Sequence, residues 1–180
     1  GAAGGGSSVF SEANYCKNTK YPMLTSMQGS DIAGDGEGTF SGEDGGVIKS
    51  FGDYIVGGTF VPYSASNKVE YDAYVASSRD EVLSAAITSK KGGHTYSNFD
   101  TSDKMYDYNA QSAEDAMNTV KAYAGRVQGG DLKWEFTNSD DSSYSINSGL
   151  KSAIAAYKSS LVSTNVGNNS SSGGNVDEGG

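Results

Sequence analysis

The stretch over residues 29–46 is the feature that most limits how this chain can fold. It holds five acidic residues and repeated glycines, and its only apolar residues are Ile32, Ala33 and Phe40. Such a segment cannot form a buried element, because ordering its backbone costs more free energy than its few apolar side chains return. It is therefore predicted to be a long loop, and long loops inside compact domains commonly carry function.

The rest of the chain is predicted to form one domain with polar ends. Its 180 residues are a length that one hydrophobic core commonly serves. Residues 1–8 and 165–180 consist of small and polar residues, which predicts flexible tails. Residues 9–164 are then the folded domain, with the acidic loop inside it.

Two segments have the composition and alternation of β-strands. Residues 54–75 hold two runs of β-branched and aromatic residues joined by a polar turn, which predicts an antiparallel hairpin. Gly57 and Gly58 within it indicate a bulge or a close backbone approach. Residues 132–136 alternate apolar and charged side chains around Trp134, which predicts a strand packed on the core.

Three segments carry the signals that start a helix. Ser78 with Glu81, and Ser112 with Asp115, are N-terminal capping patterns followed by apolar residues at helical spacing, and a third helix is predicted to begin near Asn147. These elements predict an α+β fold. We expect an antiparallel sheet of about four strands packed against two or three helices, with long Gly-rich loops and flexible termini.

Charge and composition restrict the partners and the location. Thirteen Lys and Arg against 22 Asp and Glu give a net charge of −9, which disfavours nucleic acid and anionic membrane surfaces. No run approaches the roughly 20 apolar residues of a membrane span. The small residues at the start are typical of a processing site, which predicts a secreted, cell-surface or organelle-lumen protein. Cys16 is the only cysteine, so it is a free thiol, an intermolecular disulfide or an attachment point.

The acids of the loop are candidate calcium ligands. Asp31, Asp35 and Glu37 fall at EF-hand positions, but Ala33 and Gly42 stand where that pattern needs oxygen ligands. A calcium site here would need a different geometry, and a solvated acidic loop is the alternative. Calcium is the one cofactor that the sequence suggests, and its ligands would be Asp31, Asp35, Glu37, Glu43 and Asp44.

No catalytic pattern is recognisable. The single histidine, His94, follows two glycines, and neither a nucleophile elbow nor a phosphate-binding glycine loop occurs. Tyr106 and Tyr108 have no core role in any predicted element, so they form a candidate ligand platform, with ordinary loop packing as the alternative.

These observations favour a non-catalytic structural or interaction subunit of a larger extracytoplasmic assembly. A surface filament, a coat or an accessory subunit of a large complex would fit, with other protein subunits, same or different, as partners. The alternative is a calcium- or carbohydrate-binding module that uses residues 29–46 and the pair Tyr106 and Tyr108. A third hypothesis is a small hydrolase working through carboxylates, because an acid pair is a spatial arrangement that sequence separation does not exclude.

Overall fold

Parallel strands dominate the structure, a computed structural model that describes residues 1–32, 38, 42–98, 107–123, 134–135, 137–143 and 145–157. The strands in these ranges are β1 (Ala2–Ala3), β2 (Ser8–Glu12), β3 (Tyr15–Lys17), β4 (Leu24–Thr25), β5 (Val47–Phe51), β6 (Tyr54–Val56) and β7 (Tyr74–Val75). β1 pairs with β4, β2 with β5, β3 with β6, and β5 also with β7, always in parallel. The chain passes through β1, β2 and β3 and then repeats that path through β4, β5 and β6, which is the winding of a parallel β-solenoid.

Successive turns of the solenoid stack in register. Ser8 lies opposite Val47, and Tyr15 lies opposite Tyr54. Because each strand pairs with a strand one full turn away, consecutive strands need only a sharp corner between them, and neither a hairpin nor a crossover helix is required. The amide of Ala13, at the first corner, donates to the carbonyl of Phe51 at 3.0 Å.

Apolar side chains fill the space between the solenoid walls. This interior cluster contains buried Ala3, Met23, Ile48 and Ala73, with Val9, Ile55 and Phe60 packed against it. A second cluster contains buried Val47, Tyr71 and Ile87, with Tyr63, Tyr74, Leu83 and Tyr96 packed against it. The two clusters explain why β5, which lies between them, is almost completely buried.

The acidic segment connects β4 to β5 in the chain. It begins with a short 3-10 helix, Gly29–Ile32, and returns at Gly45, which forms a bridge with Gly4. The carboxylate of Asp72 ties the start of this segment to the next turn, because it accepts hydrogen bonds from the amide and the hydroxyl of Ser30, both at 2.7 Å. The two described ends of this segment are therefore both attached to neighbouring turns of the solenoid.

Helices follow the solenoid in the chain: α1 (Ala113–Tyr123), α2 (Asn138–Asp141) and α3 (Ser148–Ala156). The starts predicted near Ser112 and Asn147 are confirmed. The hydroxyl of Ser112 accepts the amide of Asp115 at 3.1 Å, and the side chain of Asn147 accepts the amide of Leu150 at 2.9 Å. These caps satisfy amides that have no partner within a helix.

The predicted antiparallel sheet is wrong. Residues 54–75 do not form a hairpin, since β6 pairs in parallel with β3 and β7 pairs in parallel with β5. The period-two alternation marks buried positions equally well in parallel and antiparallel strands, so it could not distinguish them. The expected flexible N-terminus is also corrected, because Ala3 lies in β1 and is fully buried.

Two further elements differ from the prediction. The helix expected from Ser78 is absent from this described segment, where the carboxylate of Glu81 accepts the amide of Ser77 at 2.5 Å and a turn forms. Trp134 lies in no strand. Its indole N–H is buried and has no hydrogen-bond partner among the described residues. Leu132 and Phe136, the other apolar positions of that predicted strand, lie outside the described residues.

Candidate functional site

An open cleft of about 940 Å³ runs between one flank of the solenoid and the helices. Its solenoid side consists of the corner before β3 and β3 itself, and its opposite side consists of α1 and the segment from α2 to the start of α3. The lining residues are Ala13, Asn14, Tyr15, Lys17 and Thr19 on the solenoid, and Ala116, Met117, Val120, Lys121, Ser139, Asp140, Ser143, Ser145, Ile146, Asn147 and Ser148 on the helical side. A volume of this size is typical of small-ligand sites.

The floor of the cleft is held by a hydrogen-bonded corner. One carboxylate oxygen of Asp53 accepts both the backbone amide of Asn14, at 2.7 Å, and its side-chain amide, at 3.0 Å. The other oxygen accepts the hydroxyl of Ser50 at 2.6 Å. Beside this corner the ring of Tyr15 stacks on the ring of Tyr54, so the floor combines a fixed amide with an aromatic surface.

The helical wall is fixed by its own caps. Thr137 and Asp140 form a reciprocal capping box at α2, and the carboxylate of Asp140 also accepts the side-chain amide of Asn147, the cap of α3. Hydrogen bonds from the backbone and side chain of Thr137, joined by that from Asn147, lower the pKa of Asp140. Asp140 therefore links two short helices as an ionised acceptor.

The cleft offers both hydrogen-bonding groups and apolar surface. Met117, Val120 and Ile146 supply apolar surface, and Val120 and Ile146 are 60% and 79% exposed. Serine, threonine and asparagine side chains also line the cleft, and Lys17 and Lys121 add positive charge. Part of the apolar stripe of α1, which the sequence predicted from its helical spacing, therefore lines this cleft.

The candidate calcium ligands are held separately where they are described. Asp31 is buried and accepts the amide of Met27 at 2.9 Å, while Asp44 lies 3.2 Å from the imidazole of His94. Glu43 lies beside the backbone of Gly4. Within the described ranges, no three His, Cys, Asp or Glu side chains converge on a point where a metal ion could bind. Asp35 and Glu37 lie outside these ranges, so the calcium site stays a prediction.

Of the predicted tyrosine platform, only Tyr108 lies among the described residues; Tyr106 does not. Tyr108 is 40% exposed, and its hydroxyl meets Arg79 and Glu12 at 2.5 Å each. The hydrogen bond from Arg79 lowers the pKa of Tyr108, but the hydrogen bond to Glu12 and desolvation outweigh it, so that the pKa is raised. These three residues are far apart in the chain, so no local sequence pattern connects them.

Cys16 and the single histidine lie apart from each other. Cys16 is in β3 and half-buried, and burial, followed by the nearby charge of Asp53, raises the pKa of its thiol. His94 interacts with Asp44 beside the acidic segment. A raised pKa keeps the thiol protonated at neutral pH, which makes it a poor nucleophile.

Among the described helices, none is both long and apolar enough to cross a bilayer. Comparisons of the whole chain with protein-family models, with curated proteins and with solved structures found no match.

Proposed function

We propose that the chain is a β-solenoid module that binds an extended carbohydrate chain in the cleft between β3 and α1. The observation that carries this proposal is the lining, which combines amide and hydroxyl side chains with apolar side chains and Tyr15. A sugar ring has hydroxyl groups around its rim and C–H groups on its faces, so it needs both kinds of contact. Solenoids commonly bind extended ligands along such flanks.

The openness of the site supports a polymeric ligand. Polar residues line both sides of the cleft, with Asn14 and Thr19 on the solenoid side and Ser139, Ser145 and Asn147 opposite. Ile146, at one wall, keeps most of its side chain in contact with solvent. A long ligand can lie in an unenclosed cleft of this kind and extend beyond it, while its C–H faces cover the exposed apolar side chains.

Binding to a panel of soluble neutral and acidic polysaccharides tests the proposal, with affinity electrophoresis followed by calorimetry on any polymer that retards the protein. Ile146→Ala and Val120→Ala should each weaken binding about threefold to tenfold, because apolar area in the cleft is removed. Val82→Ala is the matched control, since Val82 is 73% exposed and does not line the cleft. If no polymer binds the parent, or all three variants behave alike, the proposal fails.

A second candidate is a subunit of a larger assembly. It is favoured by the edge of the first turn, because β1, β2 and β3 each pair on one side only among the described strands. Unpaired strand edges can add a strand from another chain through backbone hydrogen bonds. Sedimentation velocity over a wide concentration range tests self-assembly, and a monomer throughout would remove the homomeric form of this candidate.

A further inference from the structure

Three residues far apart in the sequence form a closed cluster beside the cleft. Arg79 Nε lies 3.0 Å from Glu12 Oε1, and Arg79 Nη2 donates to the hydroxyl of Tyr108 at 2.5 Å. That hydroxyl donates to Glu12 Oε2, also at 2.5 Å. The guanidinium carbon lies 4.7 Å from the ring centroid of Tyr108. Each of the three side chains therefore contacts the other two.

The ion pair within this cluster is partly buried, although Tyr108 is exposed. The side chain of Glu12 is 12% exposed and that of Arg79 is 33% exposed. The guanidinium also lies 5.7 Å from the ring centroid of Phe10, so apolar surface shields it. Exposed ion pairs contribute little to stability because water and salt screen their attraction. Apolar surface around the guanidinium reduces this screening.

The cluster lies where the chain enters the helical wall. Every residue of the segment 107–112 is exposed, and α1 begins directly after it. At roughly 3.5 Å per extended residue, fixing Tyr108 confines the first residue of α1 to within about 17 Å of it. On the other side, Glu12 ends β2 and directly precedes Ala13 and Asn14 of the cleft floor. The cluster therefore connects the start of one wall to the edge of the other.

We infer that Glu12, Arg79 and Tyr108 form a clasp that tethers the start of α1 to the solenoid and so limits the width of the cleft. Tyr108 is then a positioning residue and needs no contact with the ligand. The importance of the clasp for binding rests on the proposed function. Its effect on α1 does not, and it can be measured without any ligand.

Amide hydrogen exchange of the full chain tests the clasp. Tyr108→Phe keeps the ring against Arg79 but removes the hydrogen bonds that join the hydroxyl to Arg79 and Glu12. Exchange of the amides in α1 should become about threefold to tenfold faster, because the helix loses its tether to the solenoid. Exchange in β5 should stay as in the parent. Tyr21→Phe is the matched control, since Tyr21 is 37% exposed and lies outside the cleft.

Glu12→Gln is the second variant. It removes the negative charge that contacts both Arg79 and Tyr108, so amide exchange in α1 should become faster to the same extent. Unchanged exchange in α1 for both variants overturns the inference. An equal increase in β5 and α1 also overturns it, because the cluster would then stabilise the whole fold. If α1 loosens but the parent binds no polysaccharide, the clasp stands and the proposed function fails. If the parent binds, Tyr108→Phe should weaken binding about threefold or more.

Discussion

Tyr15 and Tyr54 lie opposite each other on adjacent turns, with ring centroids 4.6 Å apart and planes within 4° of parallel. Strands within a sheet are separated by about 4.8 Å, so side chains at the same register of a solenoid stack directly on each other. The pair joins β3 to β6 next to the cleft. The stacking of the two rings follows directly from the parallel register of the backbone, in which Tyr15 pairs with Tyr54.

Replacing Tyr54 with Leu tests the contribution of this pair. The variant keeps apolar area at the site but removes the ring contact, and we expect a loss of about 1 kcal/mol in the free energy of unfolding. Urea denaturation followed by circular dichroism measures it. Tyr21→Leu is the control, because Tyr21 stacks on no other aromatic ring among the described residues. Equal losses in the two variants would show that stacking adds nothing beyond burial.

A buried carboxylate connects the acidic segment to the third turn. Asp72 is fully buried and accepts the amide of Val61 at 2.8 Å in addition to its two hydrogen bonds from Ser30. Asp72→Asn replaces an acceptor oxygen by an amide group that cannot accept, so at least one buried N–H loses its partner. We expect a loss of about 2–3 kcal/mol in unfolding free energy. Asp80→Asn, whose parent side chain is 84% exposed, should cost less than about 0.5 kcal/mol.

Stability should fall on the acid side of pH 5 because of Glu81. A hydrogen bond from the Tyr74 hydroxyl, followed by one from the Ser77 amide, lowers the pKa of Glu81 below its ordinary value of 4.5. The folded state therefore favours the ionised form. This stabilisation is complete above the ordinary pKa and is lost as pH falls through the lower pKa of the folded state.

The dependence on Glu81 is measured by urea denaturation between pH 3 and 6, roughly the range in which carboxylates titrate. Glu81→Gln should remove part of the acid-side slope. Tyr74→Phe should remove a share of the same slope, because it deletes the hydrogen bond with the largest effect on this pKa. Parallel pH profiles for the parent and Glu81→Gln would contradict the assignment.

Local signals in the sequence predicted local structure correctly. The caps at Ser112 and Asn147 were found because a cap and its helix lie within a few residues. The alternation between residues 69 and 75 predicted burial only in part, because Tyr71 and Ala73 are buried but Val69 and Val75 are about half exposed. The direction of strand pairing could not be predicted, because the partner of each strand lies a full turn away. The helix predicted from Ser78 does not form. Instead, the carboxylate of Glu81 accepts the hydroxyl of Tyr74, seven residues earlier, a spacing that the capping pattern does not indicate.

The cleft could not be predicted from sequence for a related reason. The stripe containing Met117 and Val120 indicates that one face of α1 packs on something, but no local pattern identifies the corner at Asn14 as its neighbour. The clasp depends likewise on Glu12 and Tyr108 meeting across 96 residues of sequence separation. Such contacts follow from the winding of the solenoid, which brings residues from distant parts of the sequence together.

The close backbone approach predicted at Gly57 and Gly58 is confirmed, and it yields a last prediction. Gly58 has a φ of +71°, and a Cβ there would lie 1.8 Å from the carbonyl oxygen of Thr19. Gly58→Ala therefore combines left-handed strain with a collision against backbone, which cannot rotate away. We expect a loss of roughly 2–4 kcal/mol in unfolding free energy.

Gly93 is the matched control for Gly58, because it has a φ of +63° but no heavy atom within 4 Å of a built Cβ. Gly93→Ala carries the conformational strain alone, which is about 1 kcal/mol. The difference between the two variants in urea denaturation isolates the steric part, which reports how closely the segment after β6 approaches the segment after β3. Equal losses would contradict the distance of 1.8 Å between the built Cβ of Gly58 and the carbonyl oxygen of Thr19. The two turns would then be stacked less tightly at this point.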